Sequence, residues 1–274
     1  MAPQKESDER PRPDAARHAN GLAGRASRRA TRRQRRVWTG RVATWHQHGS
    51  VNLAKVTAAV IKAAAVRPGD VVVDLGCGDG QLSIPLTKQG AQVLGVDVSP
   101  GMTSALQSNA HRLGLDKLEA ITVPVEELDL PTASADLIVS SYALHHLRDA
   151  DKGALVKAAA RWLRPGGRLV IADMMFGRGG SARDREIIRQ KLAVLVRQGP
   201  GGWWRIVKNV MRYQLRVQEC PISMEAWIQL MHKAGFTSIT ASAIVAEAGL
   251  ITAQRPGSAN VRDHAASSIS AGTL

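Results

Sequence analysis

Val71-Val72-Val73-Asp74-Leu75-Gly76-Cys77-Gly78-Asp79-Gly80 reads as a buried strand running straight into a glycine loop. Four large aliphatics in five residues, without polar alternation, suit a strand covered on both faces, as in a parallel sheet. Three glycines spaced by single residues let a ligand approach the backbone closely at the strand's carboxyl end, where open α/β sheets bind. Before the strand, Arg67-Pro68-Gly69-Asp70 is a turn. A helix over 51–65 precedes that turn, with Leu53, Val56, Val60 and Ile61 at helical spacing.

Downstream, the pattern predicts a helix over 81–89, a strand over 92–97, a helix over 100–114 and strands over 118–123 and 136–140. A helix over 151–163 and a strand over 167–173 follow. Strands alternating with helices imply right-handed crossovers and a doubly wound, Rossmann-like α/β sheet. The end of the chain departs from that alternation. Ser223 is a good N-cap for a helix over 224–234 closed by Gly235, and two β-rich runs, 236–242 and 244–252, follow with no helix between them. A parallel sheet closed by an antiparallel hairpin is expected.

The chain has 274 residues and a net charge of +14, but the charge is local. Residues 1–41 and 178–216 each sum to +8, which leaves the remainder at −2. An argument for nucleic acid from the overall charge would therefore mislead. Residues 1–36 hold a single large aliphatic, Leu22, and are expected to be a disordered basic tail; 255–274, rich in Ser, Ala and Gly, are expected to be a second one. Two cysteines, Cys77 and Cys220, exclude a disulfide scaffold or a cysteine-based zinc site, and no metal site is expected. With neither a secretory h-region nor a run of ~20 apolar residues, a cytoplasmic chain without a transmembrane segment is expected.

Asp97 ends the second strand, 17 residues past Gly80, near the ~20 expected for an acid that holds ribose hydroxyls. The spacing G-x-G-x-G is not that of a dehydrogenase, and Asp74 beneath the loop would repel a pyrophosphate while suiting a cation. A sulfonium nucleoside fits better than NAD. Here the sequence resembles the class I S-adenosylmethionine-dependent methyltransferases. Val71 to Gly80 looks like their first motif, Gly95-Val96-Asp97-Val98-Ser99-Pro100-Gly101-Met102 like the ribose motif, and Asp136 to Leu147 and Leu163 to Ile171 like the later ones. The resemblance covers residues 67–175 and assigns 37–254 to the methyltransferase domain, with a seven-stranded sheet. It implies S-adenosylmethionine as cofactor, with Gly76, Gly78 and Gly80 under the methionine part and Asp74 at its amino group. Asp97 would take both ribose hydroxyls, and Val98 and Met102 would pack on the adenine. Ser140, at the end of the fourth strand, joins this cofactor set. The acid that usually holds the adenine amine falls on Pro124 in an ungapped register, so the Val125 amide or Glu126 is expected there.

Methyl transfer asks the protein mainly for alignment and exclusion of water, and a base is needed only for some acceptors. His145, His146 and Tyr142 follow the fourth strand on the active side of the sheet. Either histidine is a candidate base or else packs near the helix start, and Tyr142 is either a pocket wall or a proton carrier. His46 and His48, with Trp45, are either cap or surface. About fifty residues separate the strand ending near Asp173 from the helix starting near Met224, and 178–222 among them are expected to form a helical insert. Trp203, Ile206, Val207, Val210 and Met211 line one side of its second stretch, and Arg205, Lys208, Arg212 and Arg216 another. The insert reads as a lid over a small, apolar or aromatic methyl acceptor. Segments 25–36 and 205–216 could touch nucleic acid or an anionic membrane. The alternatives are an RNA methyltransferase using the Arg-rich arm and a non-catalytic S-adenosylmethionine-binding module. No paired prolines or loop cysteine of base-methylating enzymes follow the fourth strand.

Overall fold

The computed structural model describes residues 51–177 and 220–257, together with 35, 184–186 and 189. Of the two expected tails only Arg35 and residues 255–257 are described, and of the expected insert only 184–186, 189 and 220–222; His46, His48, Trp203 and the 205–216 stripe lie outside the described residues.

Within residues 51–177 and 220–257 the elements follow the expected order: α1 (Val51–Ala64), β1 (Val71–Leu75), α2 (Ser83–Lys88), β2 (Gln92–Asp97), α3 (Pro100–Arg112), β3 (Leu118–Thr122), β4 (Ala135–Ser141), α4 (Asp149–Trp162), β5 (Leu163–Met174), α5 (Met224–Lys233), β6 (Thr237–Ala243) and β7 (Ala248–Gln254). The sheet runs β3-β2-β1-β4-β5-β7-β6. Its first five strands are parallel, and β7 pairs antiparallel with both β5 and β6. The strand order reverses between β1 and β4, which makes the crevice at their carboxyl ends the natural place for a ligand.

Alternate residues of each inner strand feed two cores. Val73 and Leu75 join Ile138, Leu169, Trp162 of α4 and Trp227 of α5 on one face. Val72, Leu137 and Val139 meet Val56, Val60 and Ala64 of α1 on the other. Covering both faces explains why β1 carries no alternation. The helix starts follow their capping chemistry. Ser99 caps α3 ahead of Pro100, and the Ser223 hydroxyl accepts the Ala226 amide at 3.2 Å.

Two boundaries differ from expectation. β5 starts at Leu163 rather than 167, because Leu163 pairs with Ala135 ahead of an irregularity in the β4 register. The last strand starts at Ala248 rather than 244. Residues 244–247 make the hairpin turn, closed by the Ile244 amide donating to the Ala248 carbonyl at 3.0 Å. That turn contains no Gly, Pro, Asn or Asp, so composition alone read it as strand. Among the described residues no helix is long and apolar enough to cross a membrane.

Candidate active site

The carboxyl ends of β1, β2 and β4 open into one cleft of about 1150 Å³, counted out to its mouth. The glycine loop forms its floor. The Gly76 and Cys77 amides donate to the Val96 carbonyl at 2.8 and 3.0 Å, which curls the loop over the end of β2. Gly76 has φ +78°, and a Cβ there would lie 2.2 Å from the Ala143 Cβ, so only glycine lets the loop meet the turn after β4. Gly78, φ +53°, faces open space.

Two carboxylates flank this floor. Asp97 accepts the Gly78 amide on Oδ2 at 3.1 Å and the Ser99 amide on Oδ1 at 2.8 Å, which fixes its orientation. Asp74 is 1% exposed and accepts the Ser83 hydroxyl at 2.6 Å. Burial pushes the Asp74 carboxyl up to about 7, against the Ser83 hydrogen bond and with help from the Asp97 charge. Burial also raises Asp97, against the backbone amides it accepts. Neither makes an ion pair among the described residues, so a ligand bringing positive charge would relieve both.

Val98 and Met102 add apolar surface, and Val125 and Glu126 line the same cleft. Pro124 does not line it and offers no N–H. The Val125 amide has no acceptor among the described residues. That amide donor beside the Glu126 carboxylate matches the acceptor and donor on the pairing edge of adenine. The residues present therefore fit an adenosyl sulfonium with an α-ammonium group.

The chain leaves β4 through Tyr142, whose φ of +50° is unusual for a bulky residue and which lines the cleft. Burial, then the charges of Glu247 and Asp173, push its phenol up to about 12, so it stays protonated at neutral pH. His146 lines the cleft, but His145 does not. The His145 ring turns inward, with Nδ1 2.5 Å from Asp173 Oδ1, and its amide donates to Asp173 Oδ2 at 2.8 Å. Burial alone would raise Asp173, but the His145 charge and hydrogen bonds outweigh it and hold the carboxyl below its usual range. An ionised Asp173 keeps a proton on His145 Nδ1. The His146 ring lies 4.0 Å from that of His145. The buried Lys152 ammonium donates to the Leu147 and Cys220 carbonyls, and the Cys220 amide to the His145 carbonyl at 2.6 Å, pinning the turn that carries both histidines.

Three expected residues have side chains or Cα atoms off the cleft. The Ser140 hydroxyl points the other way and donates to the Leu75 carbonyl at 2.7 Å, while its neighbour Ser141 lines the site. Gly80 packs against Ile84 and Leu106, where it allows a close helix approach. His145 supports its neighbour from behind. The structure adds residues the sequence reading missed: Leu53 and Thr57 of α1, Ser141, and Arg148 and Asp151 at the start of α4. Leu53 and Thr57 lie one helical turn apart, a spacing visible in sequence that does not say which face meets the cleft.

Residues 72–167 match the family model described as a methyltransferase domain. A Geobacillus protein described as an uncharacterized methyltransferase is 32% identical over 133 residues, 48% of this chain and 58% of its own length. The 27-O-demethylrifamycin SV methyltransferase of Amycolatopsis mediterranei is 31% identical over 129 residues, 46% of this chain and 47% of its own length. The chain thus spans about half the length of the curated relatives it matches. Among solved structures, the phosphoethanolamine N-methyltransferase 2 of Haemonchus contortus with S-adenosyl-L-methionine superposes at a TM-score of 0.55 and 17% identity. That superposition covers 77% of this chain and 53% of the other. Sheet order and motif placement agree with that match: residues 72–167 are similar to a methyltransferase domain, and the sheet has the Rossmann-like fold of its methyltransferase neighbours.

Proposed function

We propose that the cleft binds S-adenosylmethionine and that the chain transfers its methyl group to a small, apolar or aromatic acceptor. The observation that carries this reading is the pair of raised carboxylates, Asp74 and Asp97, which line one cleft and make no ion pair among the described residues. Asp74 would receive the amino group, Asp97 the ribose hydroxyls, and Val98 and Met102 the adenine face, with the Val125 amide and Glu126 at its edge. The bound cofactor supplies an electrophilic methyl on a sulfonium, open to in-line attack. The protein aligns the acceptor and keeps water out, using Leu53, Ala143, Leu144 and Leu147 around the site. His146 takes the proton that a hydroxyl acceptor sheds, and the Tyr142 phenol donates a hydrogen bond to the acceptor's oxygen. The rifamycin-methylating relative supports a small-molecule acceptor.

Calorimetric titration tests the reading. Micromolar binding of S-adenosylmethionine, no binding of NAD, and loss of the signal in Asp97→Ala are expected. A wild-type protein that ignores S-adenosylmethionine overturns it.

A further inference from the structure

We propose that the Ser141 hydroxyl holds the transferable methyl of the cofactor, and so sets how much more tightly the methylated cofactor binds than the demethylated product. The inference rests on the adenosyl sulfonium reading above.

The position of Ser141 follows from strand register. Asp74 pairs with Val139, and the Ser140 hydroxyl reaches the Leu75 carbonyl at 2.7 Å, so β4 keeps level with β1 to its end. Ser141 is the last residue of β4, and continuing that register sets it beside Gly76, where the glycine loop begins. Side chains alternate along a strand. Ser141 therefore shares the sheet face of Leu137 and Val139, which is also the face of Val72 and Asp74. One residue further on the chain turns through Tyr142 towards Ala143 and His146. Ser141 thus stands where the wall proposed for the cofactor meets the wall proposed for the acceptor, and a methyl handed from one to the other lies at that junction.

The hydroxyl there is chemically distinct from its neighbours. Ser141 lines the cleft, yet its Oγ is buried and has no hydrogen-bond partner among the described residues. The hydroxyls of Ser83, Ser140 and Ser223 each have one. A buried hydroxyl without a partner weakens the fold, so a ligand in the cleft is the natural source of one. Its backbone is held firmly: Ser141 pairs with Ala172 of β5, and the Tyr142 amide donates to the Ala172 carbonyl at 2.9 Å. A single rotatable bond carries the hydroxyl, so presenting its oxygen to a ligand costs little entropy. A methyl group on a sulfonium is polarised by the positive sulfur, and its C–H bonds donate to an oxygen as weak hydrogen bonds. That contact disappears once the methyl has left, which favours the methylated cofactor over the product.

Calorimetric titration of the full chain with S-adenosylmethionine, S-adenosylhomocysteine and sinefungin reads this out without knowledge of the methyl acceptor. Sinefungin carries an ammonium on carbon in place of the methyl on sulfur, so it brings strong N–H donors to the same point. In Ser141→Ala, affinity for S-adenosylhomocysteine is expected to be kept. The advantage of sinefungin over it falls about tenfold, and that of S-adenosylmethionine about threefold. The ligand charges act alike on wild type and variant, so attraction to Asp74 and Asp97 drops out of the comparison. Ligand-free Ser141→Ala is expected to melt at or above the wild-type midpoint, because no hydrogen bond is lost. A lower midpoint gives the hydroxyl a partner within the protein and overturns the proposal. Unchanged ratios, or an equal loss for all three ligands, overturn it as well. A wild type that binds none of the three overturns the cofactor reading beneath it.

Discussion

Asp74 lies beneath the glycine loop with the Ser83 hydroxyl as its hydrogen-bonded support. Since burial pushes its carboxyl up to about 7, protons compete with a cationic ligand in the neutral range. The ionised form is the one that receives an ammonium group. Affinity for S-adenosylmethionine is therefore expected to rise as pH rises through about 7 and to level off above it. Calorimetry between mildly acidic and mildly basic pH checks this, and Asp74→Asn is expected to bind weakly with a flattened profile. The two neighbouring glycines separate stability from binding. Gly76→Ala places a methyl 2.2 Å from the Ala143 Cβ at φ +78°. A loss of about 2–4 kcal/mol in urea unfolding is expected there. Gly78→Ala meets only open space and a left-handed φ, so its cost is about 1 kcal/mol. Gly78 lines the cleft proposed to hold the cofactor, so the added methyl should lower cofactor affinity more than it lowers stability. A Gly76→Ala protein as stable as wild type would refute the contact between the two loops.

The turn after β4 is held as a unit. Asp173 accepts the His145 ring, the His145 amide and the Met174 amide, and it is fully buried. Its folded carboxyl lies below the usual range, so its contribution to stability is present above the unfolded value and is lost as pH falls through the folded one. Asp173→Asn is expected to cost about 3 kcal/mol at neutral pH and to flatten the acid limb of a stability–pH curve. Equal acid limbs in the two proteins would refute an ionised Asp173. What the sequence could and could not announce divides here by element. β1, its loop and Asp97 were legible because a strand buried on both faces, a left-handed glycine and a strand-terminal acid each leave a local signature. Ser140 and Ser141 end the same strand, and which of them lines the cleft depends on which side of β4 the loop leaves. His145 and His146 are adjacent for the same reason, one turned to Asp173 and one to the cleft. Leu53 and Thr57 enter from α1, and Arg148 and Asp151 from α4. Their approach is decided by how two helices pack on the sheet, which no local pattern records.

At the scale of the molecule, stability and ligand binding meet at the reversal of strand order between β1 and β4. The two cores on either side of the sheet hold the crevice open, and they place Asp74 in the buried centre of β1. An acid whose folded value is raised binds its proton more tightly in the native state than in the unfolded one. Native stability therefore falls as pH rises from the ordinary carboxylate range towards about 7, and is level beyond that as far as Asp74 is concerned. A cofactor that neutralises the charge returns what ionisation removed, by mass action on the native state. Two outcomes follow for thermal unfolding. Saturating S-adenosylmethionine should raise the midpoint more at pH 8 than at pH 6. The ligand-free Asp74→Asn protein should be more stable than wild type at pH 8 and gain less from the ligand, which is the trade expected of a residue kept for binding rather than for folding. If the variant is no more stable than wild type at pH 8, the charge beneath the glycine loop carries no folding cost, and the case for a cation-seeking cleft loses its physical basis.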